Sequence, residues 1–198
     1  MSKTSQNAWL VASAEMLPTL VFLSLWRGGF GLETAGWSGA ASAALVLGAI
    51  GVTRPKFSPV VLGINIHLLL ITPAIVGLYK LGFDEWAETL RHQAQTALFV
   101  VVALVGALLI GTTERGLIGT DTGPARIRFR YSLVILAAVT GAIPWAYFHA
   151  GDSLTSVALP LVILFALRGY LAARLEDKRG DGDQLVPALG GSNLNDPA

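Results

Sequence analysis

Cysteine is absent from the 198 residues. That excludes a disulfide framework, thiolate zinc sites and cysteine nucleophiles, and says nothing about redox compartment. Charge is scarce too. Asp, Glu, Lys and Arg make up 14% of the chain, where a soluble domain carries about 25%. The formal net charge of +1 excludes a strongly basic nucleic-acid binder. Among the histidines, His67, His92 and His149, no His-x-x-x-His or carboxylate–histidine spacing suggests a metal site, and none is expected. Walker, G-x-G-x-x-G and G-x-S-x-G motifs are missing, so no cofactor and no catalytic residue is assigned.

What is present is apolar: 53% of the residues are hydrophobic, the composition of an integral membrane protein. A membrane-spanning helix needs about 20 apolar residues. Six segments qualify: Asn7–Trp26, Thr34–Thr53, Phe57–Tyr79, Gln93–Thr113, Tyr131–Gly151 and Ser153–Ala173. The first carries Glu15 near its middle and is too long for a signal-peptide core, so it reads as a retained helix. The expectation is an all-α, polytopic domain over residues 1–173, with six spans. Residues 174–198, rich in Gly, Asp, Asn and Pro, read as a disordered cytoplasmic tail.

Lys and Arg orient the spans. Six crossings put Lys3, Arg54, Lys56, Arg115, Arg126, Arg128, Arg130, Arg168, Arg174, Lys178 and Arg179 on one side. Arg27, Lys80 and Arg91 fall on the other. Eleven against three makes both termini cytoplasmic. The outer loop Lys80–His92 places Phe83, Trp86 and Leu90 at helical spacing among charges, as in an interfacial helix. The cytoplasmic loop Glu114–Arg130 holds Gly116, Gly119, Gly123 and Pro124, then the alternating Arg126, Arg128 and Arg130. These arginines read as positive-inside anchors or as an anionic-lipid site, at about 1 kcal/mol each. Trp26, Trp37, Trp86, Trp145, Tyr147 and His149 mark an outer aromatic belt.

Small residues four apart let helix backbones approach closely. Gly36, Ala40, Ala44 and Gly48 form such a line, as do Ala103, Ala107 and Gly111. Ala137 with Gly141 and Ala138 with Ala142 form two more. They read as internal packing, with a homodimer seam as the alternative. Pro18, Pro73, Pro144 and Pro160 fall inside spans, which membranes tolerate in proteins of many functions.

Ionisable groups at membrane depth cost at least about 2.5 kcal/mol on insertion scales. Glu15 lies eight residues past Asn7, about 12 Å in, and His67 eight residues past Pro59. Arg168 lies six residues before Arg174, about 9 Å in. Glu15, Asn65, His67 and Arg168 are therefore expected in one polar layer of the cytoplasmic half. Three chemistries suit it. A buried Glu15–Arg168 pair or Glu15–Asn65 hydrogen bond would fix helix register. A neutral, protonated Glu15 would also be structural. A proton or ion relay would use Glu15 as carrier and His67 to tune it.

The run Glu15-Met16-Leu17-Pro18-Thr19-Leu20-Val21-Phe22, followed by Trp26-Arg27-Gly28-Gly29, resembles the opening of the bacterial intracellular septation protein A family. Later segments run in similar order: a basic loop at Thr53-Arg54-Pro55-Lys56 and an acidic outer segment at Phe83-Asp84-Glu85-Trp86. The resemblance is colinear over roughly Glu15 to Asp177. It departs where Glu88–Thr96 lacks the family's Lys-x-Lys-Pro-Thr-like stretch, and where the third segment carries Asn65, His67 and Pro73. The resemblance implies a non-enzymatic inner-membrane protein of envelope maintenance or division. Its partners would be the bilayer and other envelope membrane proteins, with no nucleic acid. Glu15, Pro18, Phe22 and Arg27 are the positions that map. The alternative function is a small transporter or channel built on Glu15 and His67.

Overall fold

A computed structural model describes residues 3–53, 58–150 and 154–184. Among these residues all regular secondary structure is helical. The elements are α1 (Lys3–Arg27), α2 (Leu32–Thr53), α3 (Pro59–Lys80), α4 (Asp84–His92), α5 (Ala94–Thr112), α6 (Ala125–Phe148) and α7 (Leu159–Gln184), with a π turn at Leu154–Ala158 leading into α7.

Five stretches are long and apolar enough to cross a membrane: Leu32–Val52, Pro59–Lys80, Ala94–Thr112, Ala125–Phe148 and Thr155–Leu175. Between 22% and 33% of each is buried inside the protein, so most of their surface faces outward. Leu45, Val52, Leu104, Leu108 and Val162 are exposed there, an exterior suited to lipid rather than water. The chain has the build of a multi-pass helical membrane protein. α1, 25 residues long, packs beside α2 and α3.

Local chemistry sets the helix ends. Gly29 and Gly31, at φ 81° and 82°, turn α1 into α2, a backbone region that glycine enters without steric cost. Pro59 opens α3 at a position where its missing N–H loses nothing. α4 places Asp84 and Glu85 in its first turn and Arg91 and His92 in its last, complementing its dipole. It buries Ala87 and exposes Phe83 and Trp86, as expected of an interfacial helix.

The core joins α3, α5, α6 and α7 through Val60, Ile64, Phe99, Val102, Ile135, Val139, Leu164 and Leu175. A Cβ on Gly63 would lie 2.9 Å from Val102 Cα, so glycine is what lets α3 and α5 touch. Gly36 does the same for α2 against Thr72 of α3, where a Cβ would lie 2.5 Å from the hydroxyl oxygen.

The spacing-four lines are only partly internal. Ala40 is buried, yet Ala44 and Gly48 of the same line are exposed. Each four-residue step advances about 40° round the helix, so three steps carry the line about 120° away from α3. Ala43 takes the buried position instead. Likewise Ala103 packs on the core while Ala107 and Gly111 face outward, and Ala142 is buried while Ala137 and Gly141 are exposed.

Two boundaries differ from expectation. Residues Arg126–Arg130 are not loop but the first turns of α6, which starts at Ala125 after Pro124. The region after Ala173, expected to be disordered, continues as helix to Gln184. Leu175 is fully buried against the close approach of Gly123, and the Arg174 guanidinium lies 5.0 Å over the Tyr170 ring. These contacts hold the first turn beyond the expected boundary. The remainder of that tail, residues 185–198, lies outside the described residues, as do Arg54 and Lys56 of the basic loop.

Candidate functional site

The loop between α5 and α6 folds back into the bundle. Leu117 and Ile118 are both buried in the core. Leu117 lies against Gly106, six residues before the end of α5, where a Cβ would come within 3.0 Å of it. Ser132, which meets the loop from the other side, lies seven residues into α6. Both positions put the loop about 10 Å inside the helix ends. Gly116, Gly119 and Gly123 have φ of 54°, 74° and 83°, and that left-handed geometry permits the tight return.

Non-helical backbone at membrane depth is tolerated only where the protein satisfies its polar groups. Two side chains do so here. Ser132 Oγ accepts the Leu117 N–H at 3.0 Å and the Ile118 N–H at 3.3 Å. Arg168 Nε donates to the Ile118 carbonyl at 3.1 Å. Gly119 allows the approach: a Cβ there would lie 2.7 Å from Pro59 Cδ and 3.1 Å from Arg168 Nη2. The loop thus joins the start of α3 to α6 and α7.

Glu15 lies next along this layer and is buried. Its Oε2 accepts the Ser58 N–H at 3.2 Å, and its backbone carbonyl accepts Asn65 Nδ2 at 3.1 Å. Glu15 therefore pins the N-cap residue of α3, while Asn65 returns a bond to the α1 backbone. The Glu15–Asn65 bond anticipated from sequence exists, but through the carbonyl and not the carboxylate. Glu15 and Arg168 form no ion pair within 4.0 Å. The Arg168 hydrogen bond goes to the loop instead.

Comparison with family models, curated proteins and solved structures gives no match.

His67 is buried but stands apart from this layer. It lies one turn beyond Gly63, on the side of α3 that meets α5, whereas Asn65 faces α1. Residues two apart on a helix, such as Asn65 and His67, are rotated by about 200°. Three of the four expected intramembrane groups thus share one layer, and the fourth looks the other way. Ser58 Oγ and Asn65 Oδ1 are buried beside Glu15 without a partner among the described residues.

The three arginines of α6 also divide. Arg128 Nη1 donates to the Asp121 carbonyl at 2.7 Å, bracing the loop, and Arg115 pairs with the Asp121 carboxylate. Arg126 and Arg130, one turn apart, are exposed. At the C-terminal end of α6, Trp145 makes specific contacts. Its Nε1 donates to the Thr155 carbonyl at 2.9 Å and its ring stacks on His149 at 4.2 Å, fixing the π turn to α6. Ser156 Oγ donates to Gln95 Oε1 at 2.6 Å, which ties that turn to α5.

Ser132, Ser58 and Gln95 escaped the sequence reading. The one available signal was a serine inside an otherwise apolar span facing a glycine-rich loop.

Proposed function

We propose that the chain is a six-span, non-enzymatic protein of the bacterial inner membrane that maintains the envelope or supports division through membrane partners. α1 is the sixth span, and both termini are cytoplasmic. The eleven-to-three Lys and Arg distribution supports that orientation. The likeness of Glu15–Phe22 and Arg27–Gly29 to intracellular septation protein A supports the role.

One observation carries the non-enzymatic part. Glu15, Asn65 and Arg168 each bond the backbone of a neighbouring segment, so these three groups help hold α1, α3, α7 and the α5–α6 loop together. Arg126 and Arg130 beside the α6 start would meet anionic headgroups of the inner leaflet.

A second reading, a small transporter using Glu15, draws on the unpartnered Ser58 Oγ and Asn65 Oδ1 at that carboxylate. Reintroduction into cells lacking the chain separates the two. A structural envelope role predicts altered cell length or septum placement in the null strain, restored by Glu15→Gln wherever that variant reaches the membrane in normal amount. An unchanged envelope in the null strain would refute the proposal. Reporter fusions after Ala173 and within Asp84–Glu88 should read cytoplasm and outside; the same side for both would overturn the six-span topology.

A further inference from the structure

A groove of about 450 Å³ opens between the start of α2, the end of α3 and the end of α4. This lies within the roughly 300–1,000 Å³ range of ligand clefts. Its wall is apolar, formed by Leu32, Ile75 and Val76, and its rim carries Glu33, Lys80 and Arg91. Glu33 is in the first turn of α2 and Lys80 is the last residue of α3. The rim therefore lies where two membrane spans end, at headgroup level, with the apolar wall running toward the hydrocarbon.

The rim charges are not spent on each other. Glu33 and Lys80 make no hydrogen bond or ion pair within the described residues. Arg91 gives Nε and Nη2 to Glu88, and Tyr79 gives its hydroxyl to the same carboxylate at 2.7 Å. That fixes the guanidinium at the rim with Nη1 uncommitted.

We propose that this groove binds a phospholipid with a primary-amine headgroup, of the phosphatidylethanolamine class. The phosphate meets Lys80 and Arg91, the ammonium meets Glu33, and an acyl chain lies along Leu32, Ile75 and Val76. The charge pattern selects this class. A purely anionic headgroup would face Glu33, and a diacylglycerol would leave all three charged groups unused. A choline headgroup has no N–H to give the carboxylate. The inference rests on the membrane build of the chain and is independent of its cellular role.

The test is native mass spectrometry of the full chain in detergent. The protein is offered equal amounts of phosphatidylethanolamine, phosphatidylglycerol, phosphatidylcholine and diacylglycerol of matched chains. Phosphatidylethanolamine should be retained in preference. Lys80→Gln should lower retention of all three phospholipids about fivefold, the equivalent of ~1 kcal/mol per surface cation. Glu33→Gln should erase the preference for the ethanolamine lipid while leaving phosphatidylglycerol bound. Both side chains are exposed at helix ends, so the variants retain the fold. Glu85→Gln, outside the groove, should change nothing. Diacylglycerol retained as well as the phospholipids, phosphatidylglycerol preferred by the wild type, or equal effects from Glu33→Gln and Glu85→Gln would each overturn the proposal.

Discussion

Replacing Ser132 by alanine removes one oxygen and strands two buried donors. Ser132 is fully buried, and its Oγ is the acceptor for the Leu117 and Ile118 amides at 3.0 and 3.3 Å. A buried donor left without a partner costs about 1–3 kcal/mol. The longer of the two bonds is the weaker, so the pair should be worth about 2–4 kcal/mol. The alanine also leaves a small void, which adds to the loss. Thr140 on the same helix is the control. Its hydroxyl donates to the Leu136 carbonyl four residues back, and the side chain is exposed. Thr140→Ala should therefore stay within about 0.5 kcal/mol of wild type. Reversible unfolding in mixed micelles gives both values, and amide exchange localises the effect. In Ser132→Ala the Leu117 and Ile118 amides should exchange faster while those in the middle of α5 do not. A Ser132→Ala loss no larger than that of Thr140→Ala, or unchanged exchange at Leu117 and Ile118, would refute the account of how the loop is held.

Two further outcomes follow from named contacts. Gly119→Ala should destabilise by about 1–3 kcal/mol for the left-handed backbone alone, and by more because its Cβ would lie 2.7 Å from Pro59 Cδ. Gly82→Ala, with φ 80° and nothing within 4 Å, should show only the backbone cost in the same unfolding assay. The Arg91 guanidinium and then the Tyr79 hydroxyl hold the Glu88 carboxyl down at about 2, from an ordinary 4.5. A depressed carboxyl contributes stability that is present above 4.5 and is lost as pH falls through about 2. The α3–α4 junction should therefore persist at pH 3, and Arg91→Gln should raise the Glu88 midpoint toward 4.5, as read by carboxyl carbon NMR.

Five of the expected spans were legible because each is a long apolar run. α4 was legible because Phe83, Trp86 and Leu90 repeat with helical period among charges. The loop plug was not. Leu117 and Ile118 are two apolar residues among glycines, and no periodicity marks a pair that turns inward. Arg126–Arg130 misled because an alternating pattern does not look helical, although Pro124 just before it is a helix-start signal. The polar layer was half legible. Depth along each helix placed Glu15, Asn65, His67 and Arg168 at similar levels, but depth does not give rotation. Asn65 and His67 share a level and face different neighbours. The partners of Glu15 and Arg168 were backbone groups, which every residue carries and which no residue type announces.

On the proposed function, Glu15 is a structural anchor at the start of α3 and carries nothing across the membrane. Proton flux into proteoliposomes under an imposed pH gradient tests it most directly, with wild type and Glu15→Gln compared at matched incorporation. The same background leak is expected in both, equal to that of empty vesicles. A pH-driven flux in wild type that disappears in a folded Glu15→Gln variant would contradict it.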